Sequence, residues 1–385
     1  MSLSTRASGK LSKVIKCRAA VVWEVNQRFS IEEIEVDPPK AHEVRVKMVS
    51  TGLCHSDLSV KNGVMEFSNK FPQVPGHEGA GIVESVGEKV TKFKPGDHVI
   101  PLYAGQCLKC DFCKSGKTNT CEVSIKMQEG TAMIDGTSRL RCKGKMLYQF
   151  MSCGTFSEYT VVEDIALAKI SNKAPLEKVC LIGCGIPTGY GAAVNAAKVK
   201  PGSKCAVWGL GGIGLAAVMG CKKAGASEVW GIDINPAKFD LARKFGCTHF
   251  ANPNDYKGRK FADVLLELTK GGFDYTFECA GQIATMRQAV DSSHRAWGRT
   301  TLVGIATFSQ DLNVFPFDLI CGRSIGGTFF GSYQAVESVP KLVDEYLNNE
   351  LMVDDFITHT FKLEQINEGF DLMIKGGCLR SIVIF

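Results

Sequence analysis

The sequence predicts a fold with an all-β part followed by an α/β part, because its hydrophobic pattern changes once along 385 residues. From about residue 16 to 170, short runs such as HEVRVKMV and GAGIVESVG alternate with Gly, Pro and Asp turns, which is typical of antiparallel strands. From about residue 201, apolar strands alternate with helices of about ten to fifteen residues, which predicts βαβ units and a parallel sheet. The last run, SIVIF, predicts a strand that returns to the first part.

Composition narrows the class of protein. Lys and Arg total 45 against 40 Asp and Glu, and this excess of +5 argues against a nucleic-acid partner. The length predicts two or three domains. Residues 179–197 and 205–219 are uncharged and approach the length of a membrane span, but several glycines interrupt them and we expect core segments and no membrane partner. The first dozen residues are basic, as in mitochondrial presequences, but a strand already begins near residue 16 and we expect a cytoplasmic protein.

The 16 cysteines are too sparse for a disulfide scaffold, which leaves metal ligands, reactive thiols and buried apolar side chains. Four of them fall within a polar lobe at residues 105–122, namely Cys107, Cys110, Cys113 and Cys121. Four thiolates at this spacing suit a closed tetrahedral zinc site that stabilises the fold. An iron–sulfur cluster is the alternative, although the last gap of seven residues is long for one.

The run GLGGIG follows an apolar strand at residues 205–208 and opens a helix, which is the context of a dinucleotide-binding loop. In such a loop the glycines permit a tight turn, the approach of a pyrophosphate to the backbone, and close helix–strand packing. The loop residues expected to contact the cofactor are Gly209, Gly211, Gly212, Ile213 and Gly214. The alternative is a doubly wound domain that binds no cofactor.

Asp233 lies 19 residues beyond Gly214, at the end of the next predicted strand. A carboxylate there accepts hydrogen bonds from the two ribose hydroxyls of NAD and repels the 2′-phosphate of NADP. We therefore expect NAD, with Lys238 beside the same ribose.

The spacing of the remaining motifs does not by itself assign them to one site, but the order in which the motifs occur along the chain resembles a known family. GLCHSD, PGHEGAG, the four-cysteine lobe, GCGIPTGYG, AVWGLGGIG and GIDIN together resemble the zinc-dependent medium-chain alcohol dehydrogenases of animals over essentially the whole chain. The resemblance implies a GroES-like antiparallel β-barrel catalytic domain from residues 1–185 and 330–385. A Rossmann domain with a doubly wound parallel sheet is inserted at residues 186–329, and the active site lies between the two domains.

The resemblance also implies the catalytic residues. Three ligands would hold a catalytic zinc, namely Cys54, His77 and Cys184, so that the chain would bind two zinc ions. The carboxylates of Asp57 and Glu78 would orient these ligands. Ser56 would receive the proton of the alcohol while hydride passes to the nicotinamide of NAD.

Further positions match contacts to the cofactor or the substrate in that family. His55 and Arg380 would contact the pyrophosphate, and Thr188 and Ile213 would lie near the nicotinamide. The expected cofactor contacts also include Val303, Ile305 and Phe330. The expected substrate pocket comprises Ser56, Phe67, Tyr103, Phe150, Met151, Val303 and Ile305.

The substrate is predicted less directly. An apolar pocket favours the oxidation of primary and secondary alcohols. Tyr103 and the stretch VESVPKLVDEY resemble the glutathione-dependent formaldehyde dehydrogenase branch, and oxidation of S-(hydroxymethyl)glutathione is the alternative. That branch has an arginine where this chain has Ile125, with Lys126 beside it, and Lys126 offers only a point charge. The proton relay of the family often ends in a histidine where this chain has Ser59.

Two further expectations concern activity and assembly. A catalytically silent structural protein that keeps the fold is an alternative of another class, but the three zinc ligands and Ser56 argue against it. We expect a homodimer that forms through the last strands of the parallel sheet, near residues 312–328.

Overall fold

A computed structural model of the protein describes residues 13–306 and 309–385, and the basic N-terminal residues 1–12, which were compared above with a mitochondrial presequence, lie outside it. The described strands are β1 Ile15–Val21, β2 Ser30–Val36, β3 Glu43–Gly52, β4 Gln73–Val74, β5 Gly79–Val86, β6 His98–Pro101, β7 Leu140–Cys142, β8 Lys145–Gln149, β9 Tyr159–Glu163, β10 Leu167–Lys169, β11 Lys204–Trp208, β12 Glu228–Ile232, β13 His249–Ala251, β14 Tyr275–Glu278, β15 Arg299–Leu302, β16 Ser324–Gly327, β17 Ile357–Lys362 and β18 Arg380–Ile384. The α-helices are α1 His55–Lys61, α2 Asp111–Ser115, α3 Glu122–Gly130, α4 Leu176–Val179, α5 Gly185–Gly191, α6 Gly212–Lys223, α7 Phe239–Phe245, α8 Phe261–Thr269, α9 Ile283–Ser292, α10 Pro316–Ile320, α11 Ala335–Leu347 and α12 Ile366–Ile374. Shorter helical turns occupy Glu66–Ser68, Phe150–Ser152, Asp164–Ala166, Cys180–Gly183, Ala192–Ala197, Pro236–Lys238, Pro253–Tyr256, Phe330–Ser332, Asp354–Phe356 and Leu363–Gln365.

Two sheets form the all-β part. One has the strand order β1-β2-β7-β8-β4, and the other has the order β10-β6-β5-β3-β18-β17, with β9 also paired to β3. The pairings are antiparallel, as the sequence predicts, except for β4 with β8 and β17 with β18. Parallel neighbours need a crossover connection, and α12 supplies it between β17 and β18. The predicted return of the C-terminal strand is confirmed, because β18 pairs with β3.

The predicted parallel sheet is confirmed in the order β13-β12-β11-β14-β15-β16. Helices α6 to α10 connect its successive strands, as expected of a doubly wound sheet. The strand order reverses between β11 and β14, and ligands bind at such a point beyond the carboxyl ends of the strands. The glycine loop begins there, directly after β11.

Among the described residues, no single helix is long and apolar enough to cross a bilayer. One pair of helices bent by 51°, Leu176–Gly183 with Gly185–Ala197, resembles a membrane span in length and composition only.

An aromatic contact joins the C-terminal segment to the parallel-sheet part. The ring of Phe356, just before β17, lies 4.7 Å from the ring of Phe245 at the end of α7. Both side chains are fully buried in the largest hydrophobic cluster of the described residues, which extends across both parts of the chain. The two parts therefore share one core.

We expect Phe356→Ala to destabilise the protein by about 3–5 kcal/mol, because it removes a buried ring and leaves a cavity between the two parts. Thermal and urea unfolding measure the loss. Phe112→Ala is the control, since Phe112 is exposed and its removal leaves no cavity. Equal stability of the two variants would contradict a shared core.

Candidate active site

Two groups of side chains in the described residues have the donor set and spacing of a metal site. Cys54, His77, Glu78 and Cys184 bring one ligand atom each to within 4.8 Å of one another. Cys54 immediately precedes α1, the His–Glu pair precedes β5, and Cys184 precedes α5. The fold thereby joins residues that are 130 positions apart in the sequence.

Asp57 fixes the orientation of the histidine. Its carboxylate accepts hydrogen bonds from the backbone N–H of Cys54 (3.1 Å) and of Gly76 (3.0 Å), and from His77 Nδ1 (3.0 Å). The opposite ring atom, His77 Nε2, is buried without a hydrogen-bond partner among the described residues. A buried nitrogen without a partner is costly in a native protein, and it is the atom that a zinc ion would bind. The residues therefore fit a metal ion.

The electrostatics of this cluster also suit a cation. The hydrogen bond from Cys184 lowers the pKa of Cys54 well below its usual value, and His77 lowers it further although burial opposes both. Burial raises the pKa of Glu78 to about 7, while Arg380 acts in the opposite direction. The cluster thus combines a thiolate, an imidazole nitrogen and a second thiol, which is a donor set that binds zinc.

The second group contains the four predicted cysteines of the lobe, and their sulfur atoms also lie within 4.8 Å of one another. The sulfur of Cys107 accepts the backbone N–H of Cys110 (3.3 Å), and that of Cys121 accepts the backbone N–H of Cys107 (3.4 Å). The backbone N–H of Cys113 lowers the pKa of Cys110 to about 6. None of the 16 cysteines, all of which lie in the described residues, forms a disulfide bond. The lobe therefore has the geometry of a closed four-thiolate site.

The glycine loop has the backbone that its sequence predicts. Gly209 has φ +86°, which favours glycine, and a Cβ at Gly214 would lie 1.8 Å from the Gly209 carbonyl oxygen. A Cβ at Gly211 would meet nothing within 4 Å, so that this backbone faces open space. A pyrophosphate could therefore approach the N–H groups at the start of α6.

Asp233, which follows the adjacent strand, forms a hydrogen bond with the backbone of the glycine loop. Its carboxylate, which lies at the end of β12, accepts the backbone N–H of Leu210 (2.8 Å) and of Asn235 (2.9 Å). Lys238 Nζ donates to the same carboxylate (2.9 Å), so the two predicted ribose contacts lie together.

Arg380 connects the metal cluster to the glycine loop. Its guanidinium forms a buried ion pair with Glu78 and donates to the carbonyl oxygen of Leu53 (3.1 Å). Its side chain also lies along the loop, since a Cβ at Gly212 would be 2.9 Å from Arg380 Cδ. His55, the other cation expected at the pyrophosphate, is exposed at the start of α1.

Aromatic side chains enclose the metal cluster. The rings of Tyr103 and Phe150 lie edge-on to the His77 ring at 5.6 Å and 5.4 Å, and Phe330 lies 5.5 Å from Tyr103. Met151 is buried in the same hydrophobic cluster. The predicted pocket residues Tyr103 and Phe150 and the expected cofactor contact Phe330 therefore form an aromatic enclosure beside the histidine.

The other expected substrate and cofactor contacts have varied surroundings. Thr188 Oγ1 donates to the carbonyl oxygen of Cys184 (2.7 Å), and Ser56 Oγ lies 3.7 Å from Cys54 Sγ. Val303 is half-buried, whereas Ile305 is 62% exposed and lies outside the aromatic enclosure. The side chain of Phe67 is outside the described residues.

Sequence reasoning missed the polar side chains that hold the aromatic enclosure. Ser124 Oγ and Gln128 Nε2 both donate to the carbonyl oxygen of Tyr103, at 3.0 Å and 2.7 Å. Asn119 donates to the carbonyl oxygens of Phe329 and Tyr333, on either side of the turn that contains Phe330. In the sequence, only their nearness to Cys121 could have drawn attention to these residues. No local motif shows which distant backbone carbonyl a polar side chain will bond to.

Comparison with known proteins identifies the family. Residues 40–172 match the family described as "Alcohol dehydrogenase GroES-like domain", and residues 212–348 match "Zinc-binding dehydrogenase". The chain is 57% identical over 373 residues to "Alcohol dehydrogenase class-3" of Drosophila melanogaster, covering 96% of this chain and 98% of that protein. The chain belongs to the zinc-dependent medium-chain alcohol dehydrogenases.

Two further members of the family agree with this assignment. "Alcohol dehydrogenase class-3" of Myxine glutinosa is 53% identical over 372 residues, which cover 96% of this chain and 98% of that protein. The crystal structure of an "Alcohol dehydrogenase zinc-binding domain protein" from Burkholderia ambifaria superposes with a TM-score of 0.90 at 33% identity, covering 97% of this chain and all of that one. The predicted GroES-like and Rossmann architecture is confirmed, and the chain is a nicotinamide-dependent zinc dehydrogenase.

We expect Asp57→Asn to weaken metal binding at the Cys54–His77–Cys184 cluster by about 10–100-fold, because an amide holds the His77 ring less firmly than a carboxylate does. Zinc content after timed exposure to a chelator measures the effect. Asp371→Asn is the matched control, since Asp371 is an exposed carboxylate paired with Arg28. Equal zinc retention in the two variants would show that Asp57 does not support the ligand.

Proposed function

We propose that the protein oxidises alcohols with NAD at a site formed by Cys54, His77 and Cys184, with one zinc ion there and a second at the four-cysteine lobe. The observation that carries this proposal is the position of Arg380, which contacts Glu78 of the metal cluster and also the glycine loop. A metal ion and the pyrophosphate of a dinucleotide would thus bind on either side of one cation. The four-thiolate spacing and the zinc dehydrogenase family favour zinc over the iron–sulfur alternative.

Each protein group has a defined part in this chemistry. When bound, zinc would act as a Lewis acid that lowers the pKa of the alcohol, and the nicotinamide would accept its hydride. Ser56, beside Cys54, would accept the alcohol proton and pass it towards solvent. Asp57 holds the imidazole of His77, and the rings of Tyr103 and Phe150 pack edge-on against the buried imidazole.

NAD is the proposed cofactor rather than NADP. The carboxylate of Asp233 is 8% exposed, and its hydrogen bonds with Leu210 and Asn235 hold it beside the loop. A 2′-phosphate on the adenosine ribose would meet this negative charge. Lys238 offers one compensating cation, but it is already paired with the same carboxylate.

The class-3 relatives favour S-(hydroxymethyl)glutathione as the substrate, because glutathione-dependent formaldehyde oxidation is the activity of that class. Simple alcohols are the second candidate, and Ile125 is the observation that favours them. Ile125 is half-buried on α3, where that class uses an arginine for the glutathione carboxylate. Lys126 is exposed on the same helix and would have to supply the charge.

The domain division and the assembly are also proposals. We assign residues 1–185 and 330–385 to the catalytic domain and residues 186–329 to the NAD-binding domain. The edge strand β16 and the adjoining α10 leave Phe317 50% and Ile320 78% exposed. A homodimer that extends the parallel sheet would cover an apolar edge of this kind. The cytoplasm is the proposed compartment.

Steady-state kinetics test the proposed activity. Primary and secondary alcohols and the glutathione–formaldehyde adduct are assayed with NAD and with NADP, and NADH absorbance is followed on a sample of measured zinc content. We expect two zinc ions per chain, a preference for NAD, and the highest kcat/KM with the glutathione adduct. A higher kcat/KM with simple alcohols would reverse the order of the two substrates, and NAD binding without turnover would favour the silent structural protein.

We expect Ile125→Arg to raise kcat/KM for the glutathione adduct by roughly tenfold, because a guanidinium pairs with a carboxylate through two charge-assisted hydrogen bonds. Activity with ethanol, which has no carboxylate, should change little. Ile134→Arg is the matched control, since it adds the same charge at an exposed isoleucine outside α3. An equal gain in both variants would indicate a general effect of positive charge.

A further inference from the structure

A strained turn lies beside the aromatic enclosure of the active site. Phe330, Gly331 and Ser332 have φ values of +50°, +59° and +57°. Two of the three are not glycine, and left-handed backbone at such residues persists only where the surrounding structure imposes it. The turn places the buried Phe330 ring 5.5 Å from the Tyr103 ring, which itself contacts His77.

Asn119 of the lobe holds both ends of this turn. Its side-chain amide donates one hydrogen bond to the carbonyl oxygen of Phe329 (2.7 Å) and another to that of Tyr333 (3.1 Å). Asn119 is 9% exposed, and its two amide hydrogens thus bracket the three left-handed residues. A second amide, Asn195, donates to the carbonyl oxygen of Gly331 within the turn (3.1 Å).

The four-cysteine lobe holds the other half of the aromatic pair as well. Asn119 lies two residues before Cys121, and Ser124 and Gln128 follow it on α3 and hold the carbonyl oxygen of Tyr103. A further pair of amides, Gln106 and Gln334, connects the lobe to the segment after the turn: Gln106 Nε2 bonds to Gln334 Oε1, and Gln334 Nε2 donates to the Thr118 carbonyl oxygen (3.0 Å). Tyr103 and Phe330 are therefore both held by residues on either side of Cys121.

We propose that Asn119 is a positioning residue for hydride transfer, and that the four-cysteine lobe sets the geometry of the active-site pocket through it. The lobe would then have a role in catalysis besides its role in stability. Asn119 acts through the 330–332 turn, which fixes Phe330 against Tyr103 at the predicted nicotinamide pocket. This inference rests on the proposed alcohol oxidation with NAD.

Two substitutions of Asn119 separate its hydrogen bonds from its packing. We expect Asn119→Ala to lower kcat by roughly tenfold with KM for the alcohol nearly unchanged, because a small misplacement of the pocket slows hydride transfer more than binding. Asn119→Asp has the same shape but directs a carboxylate at two carbonyl oxygens, and we expect a larger loss of kcat. In both variants the primary deuterium isotope effect on kcat should rise, and the Kd for NAD, measured by tryptophan fluorescence, should increase several-fold.

Ser115→Ala is the control variant, because it removes two hydrogen bonds that remain within the same lobe, one to Phe112 and one from Lys117. It should keep the kcat, isotope effect and Kd of the parent, and all variants should retain the parent zinc content. The proposal is overturned if Asn119→Asp behaves like the parent, or if Ser115→Ala shows the same losses. It is also overturned if Asn119→Ala loses zinc in proportion to kcat. Should the parent itself show no turnover, the proposed function fails and the Kd for NAD alone decides whether Asn119 positions the pocket.

Discussion

The buried ion pair between Arg380 and Glu78 is the interaction on which the site depends. Burying two charges is costly, and breaking such a pair leaves one of them uncompensated. Arg380 opens β18, which lies between β3 and β17, so the pair requires the C-terminal strand to be paired with β3. The metal cluster and the dinucleotide loop are thus aligned by a residue that is more than 300 positions from Cys54.

The active site is built in layers around this pair. Asp57 fixes the ring of His77, and the ring is in turn enclosed by Tyr103 and Phe150. The four-cysteine lobe holds Tyr103 on one side and the Phe330 turn on the other. Each layer restricts the side chains of the next, which is how an enzyme holds its reacting groups without reorganisation during the reaction.

Local patterns account for much of the fold. The βαβ alternation predicted the strands and helices of the parallel sheet, since the spacing of apolar residues in each segment indicates a strand or a helix. The two parallel pairings in the all-β part were not predicted, because β4 has only two residues and β17 reaches β18 through α12. Neither pairing leaves a local signal. The amides that hold Tyr103 and Phe330 were also missed, because these contacts depend on which segments lie close together in the folded chain.

The sequence by itself determined the fold class, the glycine loop and the four-cysteine lobe, because each is encoded in residues that are close along the chain. It also supplied the ordered motifs by which Cys54, His77 and Cys184 resemble zinc ligands. Only the tertiary structure decided that these three side chains meet, that Arg380 lies between them and the glycine loop, and that Asn119 reaches the turn at Phe330. The physical reason is that hydrogen bonds and ion pairs act over a few ångströms in space, whatever the separation of their residues in sequence.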